Sequence, residues 1–281
     1  MKRQGRCQAL IGCRVHVRMA INTFARKEIK FLLDMEQYQA LAEEIHKYME
    51  PDKYCVGGKE YGIYNIYYDT PDDYLIRESL SKPYYKEKIR LRSYYSPASE
   101  DSLVFLEIKK KIGGIVTKRR VSMTLAESAE YLATRKKPES KKYITGQVFA
   151  ELDAFLDHYP IQPKQYISYQ REAFFGKENS DFRLTFDRKI TERRYDLGLD
   201  YASYGNQIIL PDQRLMEIKV GDAMPDWLVR KLSELGMYKT SFSKYGKAYT
   251  NFVQEQASAG KQIYIAGISV VKNNILMNRS V

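Results

Sequence analysis

One tripeptide, Glu-Ile-Lys, occurs three times in this chain, each time within a segment rich in β-forming residues. The copies are Glu28-Ile29-Lys30, Glu107-Ile108-Lys109 and Glu217-Ile218-Lys219. Successive side chains of a β-strand point to opposite faces, so each copy places Glu and Lys on one face and Ile on the other. The chain is therefore predicted to contain strands that have one charged face and one apolar face.

Other strand-like segments repeat this alternation with an excess of cations. Lys88, Arg90 and Arg92 share one face, while Ile89 and Leu91 share the other. Most successive strands are joined by short polar or glycine-containing loops, which favours antiparallel pairing. Eight strands are predicted, over residues 26–33, 60–69, 85–95, 102–110, 115–123, 165–175, 181–190 and 213–220.

Amphipathic segments between the strands predict helices that cover the apolar faces. Helix starts are indicated at Asp34, Thr124, Pro225 and Ser243, and one more helix is indicated around residues 148–156. Eight strands are the number that closes a small barrel. The predicted fold is therefore α+β: an eight-stranded antiparallel tunnel barrel with a charged lumen, decorated by helices.

Charges in a confined lumen need partners, because burying an unpaired charge is costly. The formal net charge is +11, so the expected partner is a polyanion. Arg suits phosphate as a bidentate fork and Lys as a mobile point charge. The alternative explanation of the charge is solubility, or non-specific attraction to nucleic acid or anionic lipid. No nucleic-acid partner is expected, because the cations recur at lumen positions rather than on an exposed basic surface with interleaved aromatics.

Carboxylates among so many cations suggest a metal. A glutamate would add nothing to anion binding, but it suits Mg²⁺ or Mn²⁺ that bridges phosphates. Glu28, Glu107 and Glu217 are the candidate metal ligands, with neutralisation of a neighbouring lysine as the alternative. The sequence has no Walker A loop, nucleophile elbow, HExxH motif or paired CxxC. The chemistry is therefore expected from a distributed set of Lys, Arg and Glu.

Cysteine spacing and hydropathy bound the organisation of the chain. The three cysteines, Cys7, Cys13 and Cys55, have no paired spacing, which favours a reducing, cytoplasmic compartment. No apolar run approaches the roughly 20 residues of a membrane span. Residues 1–23 are predicted to be an N-terminal extension, residues 24–254 one tunnel domain, and residues 255–281 a C-terminal tail.

Nine short segments follow one another in a distinctive order over residues 24–252. They are Arg26-Lys27-Glu28-Ile29-Lys30-Phe31, Tyr68-Asp69-Thr70-Pro71, Lys88-Ile89-Arg90-Leu91-Arg92, Leu106-Glu107-Ile108-Lys109, Lys118-Arg119-Arg120, Ser168-Tyr169-Gln170-Arg171-Glu172-Ala173-Phe174, Arg183-Leu184-Thr185-Phe186-Asp187, Met216-Glu217-Ile218-Lys219 and Ser241-Phe242-Ser243-Lys244-Tyr245. This ordered set resembles the vacuolar transporter chaperone (VTC) domain family, which belongs to the triphosphate tunnel metalloenzymes. The chain looks like a compact, bacterial-type, stand-alone version.

The resemblance implies a tunnel barrel that makes polyphosphate by moving the γ-phosphoryl of ATP onto a growing chain, with Mn²⁺ or Mg²⁺. The residues predicted to be catalytic, mostly as phosphate clamps, are Lys30, Arg90, Arg92, Lys109, Lys118, Arg171, Arg183, Lys219 and Lys244. The residues predicted to bind substrate are Tyr169, Arg120 and Ser243. Ser243 and Lys244 are also expected to close one end of the tunnel, and Glu217 is the metal ligand that the resemblance implies.

Three functions stay open at this point. A polyphosphate polymerase is the leading prediction, with ATP and polyphosphate as its partners. The alternatives are a hydrolase of triphosphate, polyphosphate or nucleoside triphosphate in the same barrel, and a non-catalytic binder of polyphosphate or another polyanion. The sequence leaves open the oligomeric state, and whether a membrane protein exports the product.

Overall fold

The structure is a computed structural model that describes residues 27–139, 143–221 and 223–260, and the backbone of residues 263–265 and 268–270. The predicted N-terminal extension, with Cys7 and Cys13, lies outside the described residues. In chain order the elements are β1 Lys27–Leu33, α1 Met35–Tyr48, β2 Met49–Pro51, β3 Tyr61–Asp69, α2 Tyr74–Leu80, β4 Tyr85–Ser93, β5 Leu103–Ile112, β6 Ile115–Thr124, α3 Leu125–Thr134, α4 Tyr143–His158, β7 Gln162–Gly176, β8 Arg183–Arg193, β9 Asn206–Gln207, β10 Arg214–Val220, α5 Asp226–Glu234, α6 Lys244–Ser258, β11 Ile263–Ile265 and β12 Ile268–Val270.

One antiparallel sheet contains all eight predicted strands, in the order β1-β10-β8-β7-β3-β4-β5-β6. Two short strands that the sequence did not indicate extend it, since β2 pairs with β7 and β9 pairs with β8. Strands β11 and β12 form a separate hairpin within the predicted C-terminal tail. Helix α6 continues to Ser258, beyond the predicted domain end at residue 254.

The predicted α+β fold with one antiparallel sheet under helices is confirmed, but backbone pairing across the described ranges does not close the sheet into a barrel. Strands β1 and β6 end the pairing order, and no ladder joins them within the described residues. The sheet nevertheless curls. This is shown by the Glu28 carboxylate of β1, which lies 3.8 Å from the Lys109 ammonium of β5. Alternation predicts which face of each strand is charged. It says nothing about whether two edges meet, because backbone donors and acceptors are the same in every strand.

The apolar outer face of the sheet is covered by helices, as predicted. Helices α3 and α4 pack on the β4–β6 side through Tyr131, Phe149 and Leu152. Helices α1 and α5 pack on the β1–β10–β8 side through residues such as Leu41 and Leu228. These contacts leave the charged side chains on the opposite face, which is called the inner face here.

Capping boxes form at two of the predicted helix starts. The Gln37 backbone N–H donates to the Asp34 carboxylate over 2.8 Å, and the Asp34 backbone N–H donates to the Gln37 side chain over 3.2 Å. Thr124 and Glu127 bond reciprocally in the same way at α3. Each box satisfies two backbone donors that a helix start leaves without intrahelical partners.

Helices α2 and α6 lie on the inner face instead. Tyr245 and Tyr249 of α6 pack with Ile76 of α2 against inner-face residues such as Ile63 and Ile167. They therefore fill part of the space that the sheet encloses and wall the remaining cavity on one side. None of the helices in the described ranges is long and apolar enough to cross a membrane.

Candidate active site

The inner face encloses a cavity of about 250 Å³, called the lumen below. Nine of its lining residues are cations and three are carboxylates, so it carries a surplus of positive charge. The lining residues are Glu28, Lys30, Tyr67, Lys88, Arg90, Arg92, Glu107, Lys109, Lys118, Tyr169, Arg171, Glu217, Lys219, Ser243, Lys244 and Tyr245.

Cross-strand register places the charges of β4, β5 and β6 in rows. Lys88, Lys109 and Lys118 lie side by side in one row. Arg90 and Glu107 are direct neighbours in the next row. Residues opposed on antiparallel strands share a face and have adjacent Cβ atoms, so like charges in a row repel each other. The row of three lysines is therefore a site that favours an anion.

Glu107 is the anionic centre of the β4–β6 wall, with a side chain only 1% exposed. Its Oε2 accepts from Arg90 Nε over 2.8 Å and lies 3.6 Å from an Arg92 nitrogen. Its Oε1 lies 3.0 Å from Lys118 Nζ and 3.9 Å from Arg120. Burial alone would raise the pKa of Glu107, but Arg90, Arg92 and Lys118 outweigh burial and hold it well below its usual range.

A second cluster lies on the β1–β10 wall. The Lys30 ammonium is 3.1 Å from Glu28 and 3.7 Å from Glu217, and it donates to the carbonyl of Phe242 over 3.0 Å. Lys219 lies 3.0 Å from the other Glu217 oxygen. Burial opposes ionisation of Glu217, yet Lys219 and Lys30 lower its pKa well below the usual value. Both carboxylates of this cluster are therefore anionic at neutral pH.

Asp187 orients two predicted phosphate clamps. This fully buried carboxylate accepts a bidentate pair of bonds from Arg171, at 2.6 and 2.8 Å, and one bond from Lys244 at 2.5 Å. Arg171 and Lys244 also lie over the ring of Tyr169, at 5.2 and 4.5 Å from its centroid. Burial alone would raise the pKa of Tyr169, but Arg171, Arg92 and Lys244 together lower it.

The start of α6 forms one wall of the lumen. The Ser243 hydroxyl accepts from the backbone N–H of Gly246 over 3.1 Å and so caps the helix. The Tyr245 hydroxyl donates to the buried carboxylate of Asp69 over 2.8 Å. This bond ties α6 to β3, and it fixes the position from which Lys244 reaches into the lumen.

Lys88 differs from the other lumen cations. Among the described residues it makes no ion pair, and its ammonium lies 5.7 Å from the ring centroid of Tyr245. Burial, together with Lys86, Lys109 and Lys30, lowers its pKa to about 7. Lys118 has a pKa lowered to about 8, mainly by burial and against the pull of Glu107. The lumen without a ligand therefore stores electrostatic repulsion that a bound polyanion would relieve.

A sequence model of the VTC domain matches residues 25–253, the whole of the region that builds this lumen. The chain belongs to the VTC domain family. The resemblance noted from nine short segments is thereby confirmed. The family and the cationic lumen together support an activity on polyphosphate or triphosphate. No match is found among curated proteins.

Solved structures resemble the VTC domain described here only distantly. A candidate adenylate cyclase from Bacillus halodurans has a TM-score of 0.46 at 14% identity, covering 78% of this chain and 95% of that one. The Schizosaccharomyces pombe Mediator head module has a TM-score of 0.38 at 10% identity, covering 83% and 94%. The Mimivirus capping enzyme triphosphatase has a TM-score of 0.31 at 10% identity, covering 76% of this chain and 89% of that one. TM-scores below 0.5 are too low for these likenesses to support a conclusion about function.

Most of the predicted site residues line the lumen of the VTC domain, and two do not. Arg183 is exposed and packs over the ring of Phe175, 4.7 Å from its centroid. Arg120 is about half exposed and packs over the ring of Phe105 at 4.7 Å, beside the Glu107 cluster. Both side chains share the inner face with lumen residues, but they lie outside the lining of the cavity.

Three lumen residues, and the buried Asp187 that contacts two others, were not predicted as site residues. Lys88 and Asp187 carried a signal, because each alternates with predicted residues on a charged face. No sequence pattern indicated a role for Tyr67, yet its hydroxyl accepts a hydrogen bond from Arg90 over 2.9 Å. Tyr245 is an aromatic residue on a helix stripe, and its part in the lumen follows only from where α6 packs.

The family implies a divalent metal, and part of the donor set fits one. Glu28 and Glu217 converge on the same lysine ammonium and both have lowered pKa values. Mg²⁺ is commonly held by one or two carboxylates together with substrate phosphates. Glu107 is enclosed by cations instead, and no group of three acidic, His or Cys ligands occurs among the described residues. Glu28 and Glu217 would therefore hold a metal jointly with phosphate, and the metal would neutralise phosphate charge.

A second cavity, of about 650 Å³, continues from the lumen toward the Lys86 and Lys111 ends of β4 and β5. It shares Glu28, Lys30, Lys88, Lys109 and Ser243 with the lumen and is called the lysine mouth below. Seven lysines and one glutamate line it. The lysines are Lys27, Lys30, Lys82, Lys86, Lys88, Lys109 and Lys111.

Proposed function

We propose that this VTC-domain protein is a polyphosphate polymerase that uses a nucleoside triphosphate such as ATP as phosphoryl donor. The observation that carries the proposal is a cation-lined lumen in which each lining carboxylate is already engaged by lysine or arginine. Such a lumen suits a substrate that brings many negative charges and its own nucleophile. A chain of phosphates has both properties.

The reaction is an in-line phosphoryl transfer. A terminal oxygen of the polyphosphate chain attacks the γ-phosphorus of ATP, the bond from that phosphorus to the β,γ-bridging oxygen breaks, and ADP leaves. The chain is longer by one phosphate. Arg90, Arg92 and Arg171 would offset the repulsion between the two polyanions and hold them in line, which is most of what phosphoryl transfer needs.

Hydrolysis would make a further demand on the site. An attacking water needs a group that orients or deprotonates it. The pKa of Glu107 and that of Glu217 are held low by neighbouring cations, so each carboxylate is a weak base. A chain-end phosphate is already anionic at neutral pH and needs no such base. The donor set therefore favours transfer to phosphate over transfer to water.

The lysine mouth supports a polymer rather than a short product. Triphosphate alone would leave most of its seven lysines without an anionic partner. A polyphosphate chain that extends from the lumen would pair with them in sequence. The enzyme would then hold its product while the chain end stays in the lumen for the next addition.

The test is to incubate the purified full chain with γ-labelled ATP and Mn²⁺ or Mg²⁺ and to resolve the products by size. We expect ADP together with labelled long-chain phosphate that an exopolyphosphatase digests. A short polyphosphate primer should speed the reaction, because it would occupy the lumen that the first phosphates must otherwise seed. Glu217→Gln serves as the variant with a weakened metal site.

The alternatives give different products. Release of orthophosphate alone, at every metal and primer concentration, would refute the polymerase and indicate a hydrolase. Absence of turnover combined with tight polyphosphate binding would indicate a binding protein. Turnover by Glu217→Gln equal to that of the wild type would show that the metal is held elsewhere.

A further inference from the structure

Four aromatic rings form a continuous chain at the end of the inner face that lies opposite the lysine mouth. Ring centroids are 6.0 Å apart for Tyr54 and Tyr61, 6.1 Å for Tyr61 and Tyr94, and 5.8 Å for Tyr94 and Phe105. These four residues are called the aromatic row. Arg120 lies over the outer member, 4.7 Å from the Phe105 ring centroid.

The aromatic row borders the phosphate-binding cations directly. Phe105 is the register partner of Arg92, and Tyr61 is the register partner of Arg171. Tyr61 and Phe105 therefore lie in the same side-chain rows as two arginines that line the lumen, as their direct neighbours on adjacent strands. Tyr94 comes two residues after Arg92, directly beyond the end of β4, and its ring contacts the ring of Phe105.

Three of the four rings are not part of the apolar packing of the domain, whereas Tyr61 packs at the edge of the inner-face cluster. Tyr54 is 61% exposed and Tyr94 is 38% exposed. Neither of them, nor Phe105, belongs to the three apolar clusters formed by the described residues. The opposite end of the inner face has lysines in the corresponding positions. The two ends of the lumen therefore offer different chemistry, one cationic and the other aromatic.

We propose that the aromatic row is a stacking platform for the base of the nucleoside triphosphate, whose phosphates lie among the lumen cations. This inference rests on the proposed function and specifies the donor end of the site. Planar bases stack on aromatic side chains and on arginine planes, largely without regard to base identity. The rings adjoin the lumen arginines, so a base on the row can connect through its ribose to phosphates among the cations. The donor then enters at the aromatic row, and the growing chain leaves through the lysine mouth.

The platform also gives the protein a way to tell donor from product. Inorganic polyphosphate has no base, so it gains nothing from the aromatic row. A nucleotide gains stacking in addition to its phosphate contacts. The row should thus raise affinity for ATP relative to inorganic triphosphate, which separates its contribution from that of the lumen cations.

The test compares two ligands by calorimetry on the full chain: the β,γ-imido analogue of ATP and inorganic triphosphate, each with Mg²⁺. Tyr94→Ala should weaken the analogue about tenfold, within the range for loss of one stacked base, and leave triphosphate unchanged. Tyr94→Phe keeps the ring and should retain wild-type affinity. Tyr95→Ala is the matched control, because Tyr95 is 58% exposed and joins no ring pair among the described residues.

Phe105→Leu is a second variant that keeps apolar bulk on β5 and removes the ring, and a thermal melt checks the fold of each variant. If Tyr94→Ala weakens the binding of both ligands equally, or of neither, the proposed stacking platform is refuted. A wild type that binds triphosphate but not the analogue would also refute it, and that result would leave an anion-binding lumen intact. A wild type that binds neither ligand would refute the proposed function together with the platform.

Discussion

At the scale of single residues, the lumen is governed by a balance between buried carboxylates and surplus cations. Glu107 has four cations within 4 Å, and Asp187 has two. A carboxylate so enclosed holds the cations at fixed positions before a ligand arrives. Each of these carboxylates therefore has a structural and a functional role. It orients the cations for the ligand, and its own burial is tolerated only while those cations neutralise it.

Arg90→Ala tests this dual role. We expect weaker triphosphate binding and a free energy of unfolding lower by about 1–3 kcal/mol, because Glu107 loses its nearest partner. Adding Glu107→Gln to the same chain should restore much of the stability without restoring affinity. Calorimetric titration and urea unfolding measure the two quantities.

Arg119→Ala is the control, because Arg119 is half exposed and pairs with Glu151 at 3.4 Å. It should change stability by less than about 1 kcal/mol, as exposed ion pairs do. If Arg90→Ala weakens binding and leaves the free energy of unfolding unchanged, the burial of the Glu107 carboxylate does not depend on Arg90.

Lys88 gives the lumen a pH dependence. Its pKa of about 7 without ligand means that it is largely neutral at pH 8. A bound polyanion favours the ammonium form and raises this pKa, so binding at pH 8 should take up protons, and affinity should fall as pH rises from 6 to 8.5. Lys88→Arg stays charged throughout this range and should reduce both effects.

Calorimetry with triphosphate, in two buffers of different ionisation enthalpy, measures the proton uptake. Lys136→Arg, at an exposed lysine paired with Glu130, is the control and should behave as wild type. Equal proton uptake in Lys88→Arg and wild type would mean that another group titrates. Lys118 and its lowered pKa would then be the next candidate.

At the scale of elements, α2 is the helix that sequence patterning missed. Its N-cap residue, Asp73, has a left-handed backbone with φ of 61° and makes no side-chain cap bond. The cap comes instead from Asp69, which accepts from the backbone N–H of Leu75 over 2.8 Å and of Ile76 over 2.9 Å. A capping residue so far upstream falls outside the local spacing that capping patterns use.

Asp69→Asn should therefore loosen two elements together. The amide can accept at only one of its two terminal atoms, so in either orientation one α2 donor, Leu75 or Ile76, loses its acceptor. With nitrogen at the Oδ2 position, the Tyr245 hydroxyl also can no longer donate to this residue. We expect the free energy of unfolding to fall by about 1–3 kcal/mol. Triphosphate affinity should also fall, because Lys244 is positioned by the start of α6. Urea unfolding and calorimetry measure the two effects.

Asp72→Asn, in the same turn, is the control. Asp72 is largely exposed and pairs with Arg77, so the change should have a small effect on stability. Equal losses in the two variants would show that the turn tolerates neither change, whatever Asp69 contributes to α2 and α6.

At the scale of the whole molecule, the curled sheet has two unlike openings, and the lysine mouth should select chain length. Lys82→Gln with Lys111→Gln should weaken binding of long polyphosphate several-fold and leave triphosphate unaffected. The reason is that only a long chain reaches beyond the lumen. The weakening should shrink at high salt, because exposed charges are screened.

Removing two charges at Lys136 and Lys137 instead, next to α3 on the outer face, is the matched control and should leave both ligands unaffected. Fluorescence anisotropy with labelled polyphosphate, competed by unlabelled chains of defined length, gives the affinities. Equal weakening of long chains and triphosphate would mean that the mouth acts only through net charge.

Alternation along single strands was enough to predict the charged inner face. Lys88, Arg90 and Arg92 alternate with Ile89 and Leu91, and no other arrangement of a strand buries the apolar pair. The capping boxes at α1 and α3 were equally local. These features depend on residues a few positions apart, so the sequence by itself determines them.

Only the tertiary structure decided how these faces are assembled. The pairing of Asp187 with Lys244 joins residues far apart in the chain, and so does the bond from Tyr245 to Asp69. The lack of a ladder between β1 and β6 in the described part of the chain has no local signature either, and neither has the position of α6 inside the curled sheet. Such contacts depend on how packed elements share one enclosed space, and side-chain periodicity carries no information about distances between elements.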